Sequence, residues 1–189
     1  SMESPIPPEA RECAEDIITQ VDRLEGWIRQ LLTYAKPAHA NLSAVEINGV
    51  FQEALTNAAK DLDRKKISVS RDFADNMPAT RADGAMLLQL IGSLIANAME
   101  AMPEGGQISV RTSNASNSMV LAEISDNGHG ISAKDLNLIF KPFYTSKAKG
   151  LGLGLPLVRR VIERLGGTVE VESHTGKGTT VCLHLPIWK

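Results

Sequence analysis

The chain predicts an α/β protein: a two-layer sandwich with helices packed on one face of a mixed sheet, preceded by one long amphipathic helix. Two observations carry this. An apolar stripe at helical spacing ends at Lys36-Pro37, before the mixed pattern begins. After Asn41, helical segments and strands alternate in an order that includes antiparallel pairs, the signature of helices lying against one sheet.

The first element is set by Ile17, Val21, Leu24, Ile28, Leu31, Leu32 and Ala35, which recur every three or four residues between Pro8 and Ala35. Pro37 ends it, because proline has no N–H for the ladder and disfavours helix in the residue before it. Such a stripe serves equally as a core helix or as a seam for a partner helix; its place outside the αβ pattern points to the partner. Next come a strand near Val45–Ile47, a helix over about 50–64, a strand near 67–71 and a helix over about 84–102. Strands over 107–112 and 119–125 flank the polar stretch Ser113–Ser118 as a hairpin, because Ile108, Val110, Val120 and Ile124 alternate with more polar neighbours. A loop-rich stretch from Asp126 to Lys149 precedes a helix over about 153–165. Two last strands, near 168–173 and 180–185, surround His174–Gly178. Residues 1–8 are expected to be an engineering remnant without order, leaving 9–37 as the isolated helix and 42–189 as the sandwich.

Composition narrows the function. Of 189 residues, 43% are hydrophobic and 22% charged, ordinary globular values, and no stretch is expected to approach the roughly 18 apolar residues needed to span a bilayer. A soluble chain with no direct membrane insertion is expected. A net charge of -2 and a pI near 6.1 provide no basic stripe for phosphate backbones, so no nucleic-acid partner is expected. Cys13 and Cys182 stand far apart and outside any CxxC or Cys/His cluster, which fits a reducing, cytoplasmic setting.

Three features carry chemistry. On the helix predicted over about 84–102, Leu87, Leu90, Ile91, Leu94, Ala98 and Ala101 fall within about 60° of Leu94 at roughly 100° per residue. Ser93, Asn97 and Glu100 form a polar row beside that buried face. The row could be no more than an exposed flank, yet asparagine is a poor mid-helix residue and its amide oxygen is a suitable hard ligand for Mg²⁺. Second, Asp126-Asn127-Gly128-His129-Gly130-Ile131 follows a hydrophobic strand. It could be a common turn, but Gly128 and Gly130 bracket one residue and let backbone approach a flat ligand, while Asp126 could accept from the adenine amine and would repel the carbonyl of guanine. His129 is expected to face solvent. Third, Lys147-Ala148-Lys149-Gly150-Leu151-Gly152-Leu153-Gly154-Leu155 places alternate glycines ahead of a helix, where free N–H groups, the helix dipole and two lysines make an anion site. The spacing is neither a dinucleotide fingerprint nor a Walker loop.

In this order the three features resemble the ATP-binding domain of sensor histidine kinases, within the Bergerat-fold class that also holds gyrase B, the heat-shock chaperone ATPases and MutL. The resemblance covers about Leu42 to Pro186. Ser93-Leu-Ile-Ala-Asn97-Ala-Met-Glu-Ala101 is similar to the N box, which implies Asn97 as the Mg²⁺ ligand. Asp126–Ile131 resembles the first glycine box, which implies Asp126 as the adenine acceptor with Gly128, Gly130 and Ile131 lining the base. Phe140-Lys-Pro-Phe143-Tyr-Thr-Ser-Lys147 is similar to the F box at the start of the ATP lid. Lys149–Leu155 resembles the second glycine box, so that Lys147, Lys149, Gly150, Gly152, Leu153 and Gly154 are the implied nucleotide contacts, with Lys147 and Asn97 serving catalysis. Gly176-Lys-Gly178-Thr179 resembles the last box, whose threonine helps hold the aspartate and a water at adenine. The helix ending Leu31-Leu-Thr-Tyr-Ala-Lys-Pro37 resembles the second helix of the family's dimerisation and phosphotransfer hairpin.

The resemblance implies ATP and Mg²⁺ as cofactors. It implies transfer of the γ-phosphoryl to a histidine on a phosphoacceptor helix and then to an aspartate of a response regulator, in a parent that is a homodimer and can be membrane-anchored. Two departures bear on this. Ser93 stands where the kinases commonly carry asparagine and the hydrolysing relatives a glutamate, so the residue cannot activate water; Glu100 stands where many members carry a basic residue. His39, His129, His174 and His184 all lack the H-E/D-x-x-x-P-like setting of the acceptor, so the chain is expected to bind ATP without phosphorylating itself. The competing expectations are an ATPase that drives conformational change, as in the chaperone, topoisomerase and mismatch-repair relatives, and a nucleotide-holding module that signals by dimerising alone.

Overall fold

The structure, a computed structural model, describes residues 8–35, 41–102, 104–116, 118–147 and 150–189. The chain divides into two compact units, 1–37 and 38–189. The first holds one helix, α1, Pro8–Ala35, of 28 residues. Ile17, Ile18, Val21, Leu24, Ile28, Leu31 and Leu32 on it are all exposed, each at 45% or more. Lys36, Pro37 and His39, together with residues 1–7, lie outside the described residues, as does the predicted proline stop.

The second unit is the expected sandwich. Its elements run β1 Ser43–Val45, α2 Ile47–Arg64, β2 Ile67–Phe73, β3 Thr80–Ala82, α3 Gly84–Ala101, β4 Gly106–Ser116, β5 Met119–Asp126, α4 Ala133–Leu136, α5 Gly154–Leu165, β6 Thr168–His174 and β7 Gly178–Pro186. Five strands form one sheet in the order β2-β4-β5-β7-β6, and β1 pairs with β3 in a separate two-stranded ribbon. Only the β2–β4 pair of the large sheet is parallel; the others are antiparallel, so the sheet is mixed. Alternation puts Ile108 and Val110 of β4, Val120, Ala122 and Ile124 of β5, and Val181, Leu183 and Leu185 of β7 on the buried face. Against that face lie α2, α3 and α5, through Phe51, Leu55, Leu87, Ile91, Ile95, Val158 and Ile162 among others.

By length and mean hydropathy alone, α3 could cross a membrane, contrary to the sequence expectation that no segment qualifies. Its apolar face is used instead in the core, where Leu87, Leu90, Ile91, Leu94, Ile95 and Ala98 are buried. Ala101, predicted on that face, is only half-buried at the helix end, and Ile95 takes a buried place that the 60° window missed. Asp83 starts α3: its carboxylate accepts from Met86 N at 3.0 Å and from Asn41 N at 3.0 Å, a side-chain cap of the kind aspartate makes best. At the other end, Lys65 Nζ donates to Met99 O at 2.7 Å, covering a carbonyl that the helix leaves orphaned.

Several boundaries differ from expectation. The first strand is Ser43–Val45, and Ile47 opens α2, where it is buried as a core residue of that helix. Strand β4 continues through Ser116, across most of the stretch read as a polar turn, with a register irregularity between Asn114 and Ser116. Two short elements, β3 and α4, were not anticipated; β3 is held by pairing with β1 and by a bridge from Thr80 to Ile187. Among the described residues the buried Thr80 and Thr112 have partners, Val45 O at 3.1 Å and Asn48 Oδ1 at 2.8 Å, as buried hydroxyls require.

Candidate functional site

The end of α3, the turn after β5, and the start of α5 meet in the second unit. Asn97 and Glu100 lie three residues apart on α3, on one side of it. Gly154, the first residue of α5, packs beside them: a Cβ there would stand 3.4 Å from Ser93 Oγ and 3.5 Å from Asn97 Nδ2. The start of α5 therefore faces the polar row of α3. No side chain caps that start, so its first N–H groups and the positive end of the helix dipole are left for an anion.

Lys147 completes this half of the site. Its ammonium donates to Asn97 Oδ1 at 2.7 Å and to Glu100 Oε2 at 2.5 Å. Two hard oxygens from one helix thus already hold a cation, which is the donor chemistry that magnesium also favours. Gly150 and Gly152 shape the segment between Lys147 and α5. Gly152 has φ +69°, and a Cβ on it would collide with the backbone of Phe143 and Tyr144; Phe143 N donates to Gly152 O at 3.1 Å, tying the two ends of the loop. Leu153 is buried. Ala148 and Lys149 lie outside the described residues, so the phosphate role expected of Lys149 has no structural counterpart here.

The other half is the turn after β5. Asp126 is half-buried, and Oδ1 of its carboxylate accepts from Gly128 N at 2.9 Å. Burial raises its pKa above the usual carboxylate value; the N–H groups of Gly128 and Thr179 and the charges of His129 and Lys147 pull it partly back. Gly128 sits against the end of α3, where a Cβ would lie 2.6 Å from Ala101 O. Gly130 has φ +66° and is closed against the backbone of His174, so no side chain fits there either. Both glycines therefore allow close approach of the chain's own backbone, at Ala101 and at His174, whereas the sequence predicts approach to a flat ligand. His129 is exposed; its N–H donates to Ala101 O at 3.2 Å and its ring Nδ1 meets Gly130 O at 2.7 Å.

Thr179 pairs with Asp126 in the β5–β7 register. Its backbone N–H is the group that reaches the carboxylate, while its hydroxyl meets Ser173 Oγ at 2.9 Å. Ser173 is the residue that sequence reasoning missed. Its Oγ donates to Gly178 O at 2.9 Å and accepts from Ile131 N at 2.8 Å, joining the first glycine turn to the last. No spacing rule connects a strand serine to a turn 42 residues earlier. The lid side has a similar hidden contact: Tyr144 Oη donates to Asp135 Oδ1 at 2.5 Å and Ser132 Oγ to Asp135 Oδ2 at 2.8 Å, fastening the segment before Lys147 to α4. These bonds lower the Asp135 pKa and raise that of Tyr144.

Residues 82–189 match the family described as histidine kinase-, DNA gyrase B-, and HSP90-like ATPases. The sensor histidine kinase ZraS of Escherichia coli (strain K12) is 36% identical over 184 residues, which cover 97% of this chain and 39% of that protein. Sporulation kinase C of Bacillus subtilis (strain 168) is 28% identical over 181 residues, 95% of this chain and 42% of the relative. Among solved structures, full-length ShkA in complex with AMPPNP aligns with TM-score 0.83 at 22% identity, over 97% of this chain and 40% of that one. ThkA in complex with the response regulator TrrA aligns with TM-score 0.81 at 22% identity, over 99% of this chain and 53% of that one. The chain spans about two fifths of the length of these kinase relatives. It belongs to the family of histidine kinase-, gyrase B- and HSP90-like ATPases, and within it to the ATP-binding catalytic domains of sensor histidine kinases.

Proposed function

We propose that this chain binds ATP·Mg²⁺ and serves as the catalytic half of a phosphoryl transfer, from ATP to a histidine of a phosphoacceptor helix and thence to a response-regulator aspartate. The observation that carries the proposal is the convergence of Asp126, the α3 row and the uncapped start of α5 in one unit. Asp126, held by two backbone N–H groups, is the proposed acceptor for the adenine amine, and Gly128, Gly130 and Ile131 are proposed to line the base. Asn97 Oδ1 is the proposed magnesium ligand. When bound, the ion would offset the charge on the phosphates. Lys147, with Gly150, Gly152, Leu153 and Gly154 leading to the α5 N-terminus, is placed to orient the triphosphate, and Lys149 is proposed to add charge beside it. Catalysis then consists mainly of positioning and electrostatic stabilisation.

Ser93 supports transfer over hydrolysis. It lies beside Gly154 and Asn97, where the hydrolysing relatives need a carboxylate base, and a hydroxyl cannot hold a proton taken from water at neutral pH. A chaperone- or topoisomerase-type ATPase is therefore the weaker reading. None of the four histidines lies in an acceptor-like sequence, so the imidazole is proposed to come from a helix other than α1. A cytoplasmic domain acting within a homodimeric parent is the setting that fits this chemistry.

Titration calorimetry with ATP and Mg²⁺ tests the proposal: Asp126→Asn and Asn97→Ala should each weaken binding by tenfold or more, the equivalent of about 1.4 kcal/mol. Unchanged affinity in either variant would rule out the corresponding contact. Incubation with γ-labelled ATP should leave this chain free of acid-labile phosphate while hydrolysis stays slow.

A further inference from the structure

Glu100 stands beside the proposed triphosphate site, where a carboxylate opposes phosphate binding. Yet it makes one of the short ion pairs of the described residues. Lys147 Nζ reaches Glu100 Oε2 at 2.5 Å and Asn97 Oδ1 at 2.7 Å together, across 47 and 50 residues of sequence. The partner oxygens come from one helix, whereas the lysine comes from the loop that Gly150 and Gly152 turn back toward α5.

We propose that Glu100 is a positioning residue that latches the loop onto α3. It holds the Lys147 ammonium against Asn97 Oδ1, the oxygen assigned above to magnesium. The inference rests on that nucleotide reading and extends it. An ammonium and a divalent cation compete for one amide oxygen, because both are taken up through the same lone pairs. Lys147 would give way at Asn97 Oδ1 to a magnesium ion held there, and its ammonium would find a second anionic partner in a bound triphosphate. Glu100 sets the strength with which the loop resists the exchange, so loop release is coupled to nucleotide entry.

The magnitude suits a latch. The side chains of Lys147 and Glu100 are 38% and 57% exposed, so water and salt screen the pair. A pair of this kind changes an equilibrium by about two- to fivefold, enough to bias the loop and small enough for a ligand to override.

The test is a double-mutant cycle on the whole chain, with titration of ATP in Mg²⁺ for the unmodified protein, Glu100→Gln, Lys147→Met and the double variant. Chymotrypsin, which cuts at Phe143 and Tyr144, reads loop exposure without nucleotide. Glu100→Gln should bind ATP about two- to fivefold more tightly at low salt and be cut faster, and both effects should shrink at about 0.5 M salt. In the Lys147→Met background the Glu100→Gln gain should vanish; simple relief of repulsion between Glu100 and phosphate would instead persist there. A gain that survives in that background, or unchanged or weaker binding by Glu100→Gln, overturns the latch and leaves the nucleotide reading intact. No ATP binding by the unmodified chain overturns both.

Discussion

At Asp126 stability and binding pull in opposite directions. Burial raises the carboxyl pKa above its ordinary 3.8, so the folded chain favours the protonated form more than the unfolded chain does. The penalty is absent below about pH 3.8 and grows as pH rises through the raised pKa. Asp126→Asn mimics the neutral form. It is expected to raise the melting temperature of the nucleotide-free chain at pH 7, by an amount that shrinks as the pH is lowered, while ATP affinity falls. A melting temperature that drops at pH 7 would contradict this. Gly128→Ala places a methyl 2.6 Å from Ala101 O and is expected to destabilise by about 1–3 kcal/mol in a denaturant titration. At Cys182, desolvation first, and then Glu123, push the thiol up to about 11, so it stays protonated at pH 8; Cys13 is exposed. Maleimide at that pH should label Cys13 much faster than Cys182, as peptide mass mapping will show.

Two helix ends carry specific contacts. Asp83 caps α3 and fixes Asn41 as well, so Asp83→Ala is expected to cost about 1 kcal/mol and to lower the melting temperature by roughly 2–4 °C. Helix α5 ends at Gly166 with φ +87°, where its N–H and that of Gly167 return to Glu163 O and Ile162 O. An L-residue there is strained, and Gly166→Ala should destabilise by about 1 kcal/mol. The N-terminus of α5 is the contrast: no side chain caps it, and its N–H groups are proposed to serve a ligand. Periodicity could be read wherever an element was long. The α1 stripe, the α3 face and the alternation of β5 and β7 follow from spacing alone. The three residues of β3 and the four of α4 are too short to show a period, and Ile47 looked like strand because it follows Val45 at a spacing of two, although it opens a helix.

For the whole molecule, the outstanding feature is an exposed apolar stripe on α1, with Leu24 and Ile28 53% and 57% exposed. Apolar area of this kind in water favours association. The chain is expected to self-associate with concentration in analytical ultracentrifugation, and Leu24→Glu with Ile28→Glu to shift it toward monomer. Residues 41–189, which carry the sheet and the site, should fold alone and bind ATP with unchanged affinity; loss of affinity on removing α1 would contradict the division into two units.

What the sequence determined by itself was the chemistry available and the order in which it comes: an amide on a core helix, a carboxylate between a strand and two glycines, and a glycine-and-lysine loop leading into a helix. Those signals are local, because residue type, spacing and φ preference act over a few neighbours. Only the tertiary structure decided which atoms meet. The Lys147 ammonium on Asn97 and Glu100, the Ser173 hydroxyl joining Ile131 to Gly178, and the Thr179 N–H facing Asp126 depend on strand register and helix packing over tens of residues. Contacts at that separation are fixed by burial of the shared core, and no local pattern records them.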